Sequence, residues 1–215
     1  MPFPSNLTAI DQISRPDHFH LKDNDRCAFL GEYTARRGYG FSDTNRLILN
    51  LKKTVDRRGS PEWRYKVDAI RSAGRALRNS IANGWLDSAT FVPIPPSRVK
   101  TDPMYDDRIL QVLRQIRPDN PVDWRELVIQ IENTEAAHDL NDRPGPNEIY
   151  RLYKINETRC DPEPEKIIVT DDVLTTGAHF KAAQRLLFER FGEIPIVGIF
   201  IARRVPQAVN LEDFF

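Results

Sequence analysis

Lys166-Ile-Ile-Val-Thr-Asp-Asp-Val-Leu-Thr-Thr-Gly-Ala-His179 is the stretch that sets the fold class of this chain. Its opening apolar run predicts a strand over Lys166–Thr170. Two adjacent carboxylates follow, Asp171 and Asp172, then two apolar residues, then Thr175-Thr176-Gly177. Residues Ala178 to Phe191 carry helical spacing and stop at Gly192, a common helix cap. Ile194 to Ala202 is a second buried strand rich in β-branched residues. Strand, helix, strand predicts a βαβ unit, and hence an α/β fold with a mainly parallel sheet flanked by helices.

The same stretch carries the chemistry. Ligands of open α/β sheets bind beyond the carboxyl ends of the strands. A helix N-terminus there presents unpaired N–H groups and a partial positive charge, which together hold a phosphate. Thr175 and Thr176 add hydroxyls, Gly177 lets the backbone approach the anion closely, and Ala178 and His179 open the helix. Asp171 and Asp172 would repel a phosphate they faced. They suit sugar hydroxyls, accepted directly or through a divalent cation. Alone, the acidic pair is an ordinary strand end and the threonines an ordinary cap. In this order, between an apolar strand and an amphipathic helix, they point to a ribose 5-phosphate group.

Upstream, Ser42-Asp43-Thr44 predicts the start of a helix whose apolar face is Leu47, Ile48 and Leu51. A second helix fits 66–82, with Asn83-Gly84 as its stop. Phe91-Val-Pro-Ile-Pro-Pro96 is a strand ending in a rigid proline loop. Arg98 and Lys100 make that loop a candidate for binding pyrophosphate, with Ile94, Pro95 and Ser97 beside them; a solvated basic loop is the alternative. A helix is expected over Asp106–Ile116, and strands over Leu127–Ile131 and Ile149–Ile155. Segments 97–108 and 132–148 are the candidates for a closing loop. His138 and Arg143 in the latter read as solvated residues. Residues 1–29 read as irregular, because Pro2, Pro4 and Pro16 interrupt them. The expected organisation is an N-terminal extension over 1–60, placed to form a hood over the site, and an α/β domain over 61–215.

Composition sets the outer bounds. The chain has 215 residues, 40% hydrophobic and 29% charged, enough for one sizeable core. Its 31 basic and 31 acidic residues cancel, which weighs against bulk nucleic-acid binding. No run nears the ~18 apolar residues of a membrane span. Met1 to Ile10 lacks the pattern of a secretory signal, so a cytoplasmic location is expected. Two cysteines, Cys27 and Cys160, cannot build a disulfide framework or a four-cysteine zinc site.

The 166–179 segment resembles the 5-phosphoribosyl-1-pyrophosphate (PRPP) motif of type I phosphoribosyltransferases: hydrophobic strand, two acidic residues, two apolar residues, Thr-Thr-Gly. The resemblance implies that Asp171 and Asp172 contact the ribose hydroxyls, and that Thr175, Thr176, Gly177, Ala178 and His179 hold the 5-phosphate. His179 stands where that family usually has Thr or Ser. The wider chain is most similar to the competence protein F (ComF-like) branch. Val92-Pro-Ile-Pro95, Arg46-Leu-Ile48 through Leu51-Lys52, and Ala202-Arg-Arg204 carry that likeness. The branch's N-terminal four-cysteine site is missing, and Asp102-Pro-Met-Tyr-Asp106 replaces its usual Arg-Gly-Phe-Asn.

The resemblance implies a magnesium-dependent phosphoribosyltransferase. It would move ribose 5-phosphate from PRPP to a nitrogen nucleophile and release pyrophosphate. Asp171 and Asp172 would be its catalytic residues, and Mg²⁺ would be held through PRPP and not directly by side chains, with a contact from Asp171 or Asp172 through water left open. Family members are often dimers, so a homodimer is the expected assembly. Two alternatives stay open: a non-catalytic PRPP or nucleotide sensor on the same fold, and a ComF-like role in DNA uptake or handling.

Overall fold

The parallel sheet takes strands from both ends of the chain. The computed structural model describes residues 3–4, 6–134 and 144–206. His138, Arg143 and the middle of the expected 132–148 closing segment lie outside the described residues. In chain order the elements are β1 (Thr8–Ala9), β2 (Cys27–Thr34), α1 (Asp43–Leu51), α2 (Trp63–Ser80) and α3 (Asn83–Leu86). Next come β3 (Thr90–Pro93), α4 (Arg108–Arg114), β4 (Val128–Gln130), α5 (Pro146–Leu152) and β5 (Tyr153–Ile155). The chain then forms β6 (Ile167–Leu174), α6 (Ala178–Phe191) and β7 (Ile196–Val205).

The main sheet has the order β1-β2-β7-β6-β3. Its four longer strands run parallel, and only the two-residue edge strand β1 is antiparallel. β4 and β5 form a separate antiparallel pair. The fold is thus α/β with a mostly parallel central sheet between helical layers. One face packs Ile168, Ile199 and Ile201 against Leu47, Ile48 and Leu51 of α1, Ile70 and Leu77 of α2, and Val112 and Leu113 of α4. The other face packs Val92, Val169 and Phe200 against Phe180, Ala183 and Leu187 of α6. Leu127, Ile149 and Tyr153 extend that second core under the small sheet.

Local chemistry explains the element ends. Ser42 caps α1 by accepting from the Asn45 N–H at 3.0 Å. The buried Asn45 side chain in turn accepts from the Thr34 N–H at 3.1 Å and donates to the Thr34 carbonyl at 2.8 Å, tying α1 to the end of β2. Gly74 is the contact point of α2 and α4. A Cβ there would lie 2.8 Å from the Gln115 carbonyl carbon and 2.9 Å from the Val112 oxygen, so only glycine lets these helices close.

Three expectations need correction. Residues 1–60 do not stand apart as a hood, because β2 sits inside the main sheet between β1 and β7, and α1 covers it. Ile149–Ile155 is not one strand. Pro146 in the first turn and the Glu148 carboxylate, which accepts from the Gly145 N–H at 2.7 Å, start the helix α5. Strand geometry begins only at Tyr153. Finally, β6 runs past Thr170 to Leu174, so the acidic pair lies within the strand and pairs with β7. Among the described residues, no helix is long and apolar enough to cross a membrane.

Candidate functional site

β3 stops where its prolines run out of donors, with Pro93 paired to Thr170 of β6. The Ile94 N–H still reaches the Thr170 carbonyl at 2.9 Å. The proline loop therefore leaves the sheet beside the acidic pair. A cavity of about 310 Å³ opens at this carboxyl edge. Ile94, Pro95, Ser97, Arg98 and Lys100 line it from the β3 side. Asp171, Asp172, Thr175, Thr176, Ala178 and His179 line it from the β6–α6 side. Lys52, Asp106, Arg108, Glu126 and Gln130 also face it, and the sequence marks none of these five as a site residue.

Gly177 is the one candidate residue that does not line the cavity. It caps α6 with φ of 88°, a left-handed conformation. Its open side is filled by Leu21, whose Cδ2 would lie 2.9 Å from an added Cβ. The close approach that needs glycine is thus to the N-terminal segment and not to a ligand. The same segment buttresses the loop from behind. The His20 N–H donates to the Thr176 carbonyl at 3.0 Å, and His18 Nδ1–H donates to the Thr175 carbonyl. Burial pushes His18 below its ordinary pKa, which keeps the ring neutral for that bond. No pattern around His18 marks it in the sequence, because its partner lies 157 residues away.

The acidic pair is asymmetric. Asp172 is 3% exposed, and cations hold both its oxygens. Arg108 Nε and Nη2 reach Oδ2 at 2.8 and 2.7 Å, and Lys52 Nζ lies 3.3 Å from Oδ1. Burial opposes ionisation of Asp172, but the Lys52 and Arg108 charges overcome it and hold the carboxyl well below the usual range. Asp171 is half-buried and accepts from the Asp172 N–H at 2.7 Å. Desolvation, and then the Asp172 charge, pushes Asp171 well above the usual carboxylate range.

A chain of charges continues behind Arg108. Its Nη1 donates to Asp106 Oδ2 at 3.0 Å, and Lys66 Nζ donates to the same oxygen at 2.7 Å. Lys66 is fully buried on α2 and also donates to the Lys53 carbonyl at 2.6 Å. Burial pulls its pKa down, while Asp106 opposes that shift.

The proline loop is stitched down. The Ser97 carbonyl accepts from the Thr134 N–H at 2.9 Å and from Gln130 Nε2 at 3.0 Å. Lys100 Nζ is 2.6 Å from Glu126 Oε2, and Arg98 is 3.9 Å from Asp102. At the helix end, Ala178 N–H reaches Thr176 Oγ1 at 3.4 Å, and His179 Nδ1 lies 2.7 Å from the Tyr153 hydroxyl.

These donors do not make a divalent-cation site by themselves. Both Asp172 oxygens already face cations, and Asp171 Oδ1 is engaged by a backbone N–H. Among the described residues, no group of three or more His, Cys, Asp or Glu is placed to hold a metal. The arrangement offers three other things chemically: backbone donors at the start of α6, carboxylates for hydroxyl groups, and cations held in ion pairs on the opposing loops. No protein-family model, no curated protein and no solved structure matches this chain.

Proposed function

We propose that the cavity receives the ribose 5-phosphate moiety of PRPP and that the protein is a phosphoribosyltransferase. One observation carries the reading. The acidic pair, the Thr175–Thr176 turn at the start of a 14-residue helix and the basic proline loop of the neighbouring parallel strand all line one cavity. In the proposed complex the α6 N-terminus and threonine hydroxyls hold the 5-phosphate. Asp171 and Asp172 accept the ribose hydroxyls. Cations of the 94–108 wall meet the diphosphate.

The bond between ribose C1 and the pyrophosphate oxygen breaks, and its electron pair leaves with pyrophosphate. The acceptor nitrogen's lone pair forms the new C1–N bond, and its proton goes to water. Charge develops on the leaving oxygen, so cations placed there lower the barrier. Closing off water protects the cationic sugar from hydrolysis. A nitrogen that ionises readily needs no base from the protein. Magnesium belongs to this proposal only as the counter-ion that accompanies the diphosphate of PRPP.

The test is a thermal-shift titration with PRPP and magnesium, followed by pyrophosphate detection across a panel of nucleobases. The proposal expects PRPP to raise the melting temperature and one base to release pyrophosphate. A PRPP shift with no pyrophosphate from any base makes the protein a sensor on the same site. No shift with PRPP or nucleoside monophosphates overturns both.

A further inference from the structure

We propose that Arg108 is an exchanging cation, which neutralises Asp172 in the empty site and moves to the diphosphate when PRPP enters. This rests on the reading of the cavity as a PRPP site.

The first observation is occupancy. Two Arg108 nitrogens converge on the single oxygen Oδ2 of Asp172. A carboxylate oxygen has about two lone-pair directions, so Oδ2 is saturated. Lys52 approaches the other oxygen more loosely, at 3.3 Å. A sugar hydroxyl can donate to Oδ2 only after Arg108 has left it.

The second observation is that Arg108 can leave without stranding a charge. Each carboxylate it touches has another cation of its own. Asp106 keeps Lys66 at 2.7 Å, and Asp172 keeps Lys52. Lys52, Lys66 and Arg108 are three positive charges around Asp106 and Asp172. Arg108 is the cation that these two carboxylates share.

The third observation is position. Arg108 opens α4 at the end of the cavity wall that begins at Ile94, and its side chain, 22% exposed, faces the cavity. A guanidinium matches phosphoryl oxygens as well as it matches a carboxylate. Its long stem lets it change partner while the backbone stays in place.

The exchange predicts opposite effects on two halves of the ligand. Calorimetric titration of the full chain with ribose 5-phosphate and, separately, with inorganic pyrophosphate reads them. Arg108→Gln should tighten ribose 5-phosphate about threefold or more, because the competitor for Asp172 is gone. It should weaken pyrophosphate about tenfold or more, as expected for loss of a charge-assisted contact. Arg108→Lys keeps the charge but cannot place two donors on Oδ2. It should tighten ribose 5-phosphate while holding pyrophosphate within about threefold of wild type, and it serves if Arg108→Gln does not fold. If both variants bind both probes as wild type does, or lose both together, the exchange is overturned. If wild type binds neither probe, the PRPP reading itself falls.

Discussion

Tyr153 and His179 meet across the seam between the small sheet and α6, with the phenol oxygen 2.7 Å from His179 Nδ1. Tyr153 is buried, and burial followed by the Asp171 charge raises its pKa well above the ordinary value, so the hydroxyl stays protonated. The hydroxyl can donate to Nδ1 or accept from Nδ1–H, according to the His179 tautomer. The residue that departs from the Thr or Ser of the resembling motif is therefore held in place by a buried hydroxyl. Tyr153→Phe should cost about 1 kcal/mol of stability in urea unfolding and weaken ribose 5-phosphate several-fold. Unchanged ligand affinity with lost stability would leave the pair purely structural.

Asp171→Asn should flatten the pH dependence of stability. The raised pKa means that the folded chain holds the Asp171 proton more tightly than the unfolded chain does. That advantage is complete below the ordinary carboxylate range and is lost as pH rises through the raised value. Wild type pays for an ionised Asp171 at pH 8 and much less at pH 5. The variant should gain melting temperature at pH 8 and little at pH 5. An equal gain at both would sink this assignment.

Asp172→Asn acts in the opposite sense. The depressed pKa of Asp172 gives stability that is present above the ordinary carboxylate range and lost as pH falls through the depressed value. The amide would leave Arg108 and Lys52 facing a neutral group. We expect a loss of about 2 kcal/mol, below the ~3–5 kcal/mol of a fully buried pair, because Lys52 keeps contact with water. Urea unfolding at pH 7 measures it. Under the proposed function Asp172→Asn should also abolish pyrophosphate release from PRPP, and circular dichroism at low temperature checks that the helices remain.

Gly177→Ala tests the turn before α6. The alanine would sit at φ of 88° with its Cβ against Leu21. Left-handed strain alone costs about 1–2 kcal/mol, and the contact adds to it. Leu21 is a core residue whose truncation has its own cost, so the contact part is read as a smaller cost of Gly177→Ala in a Leu21→Ala background than in wild type. If Gly177→Ala costs as much in the Leu21→Ala background as in wild type, Leu21 is not the obstacle.

Much of the fold is legible because it is written locally. The Ser42 cap, the apolar faces of α1 and α2, and the strand-turn-helix of 167–191 each follow from residues a few positions apart. The acidic pair and the threonine turn are legible for the same reason. The short apolar run at Ile149–Ile155 fits either period, and Pro146 with Glu148 tips its first half to the helix α5.

What surrounds the acidic pair is different in kind. Arg108 is 64 residues from Asp172, and Lys66 is 40 from Asp106. Lys52 comes from the segment that the sequence assigns to a hood, and His18 from one that reads as irregular. Periodicity and spacing determine which face of a helix is apolar and where a strand stops. They carry no information about which strand lies beside which. The sequence by itself determined a βαβ unit carrying two adjacent carboxylates and a Thr-Thr-Gly turn before its helix. Only the tertiary structure decided that β2 enters the sheet, that α1 and α4 bring cations to Asp172, and that burial raises Asp171 while those cations hold Asp172 down. The reason is electrostatic: a carboxylate's behaviour is set by the charges and water within a few ångströms, and chain folding alone selects those neighbours.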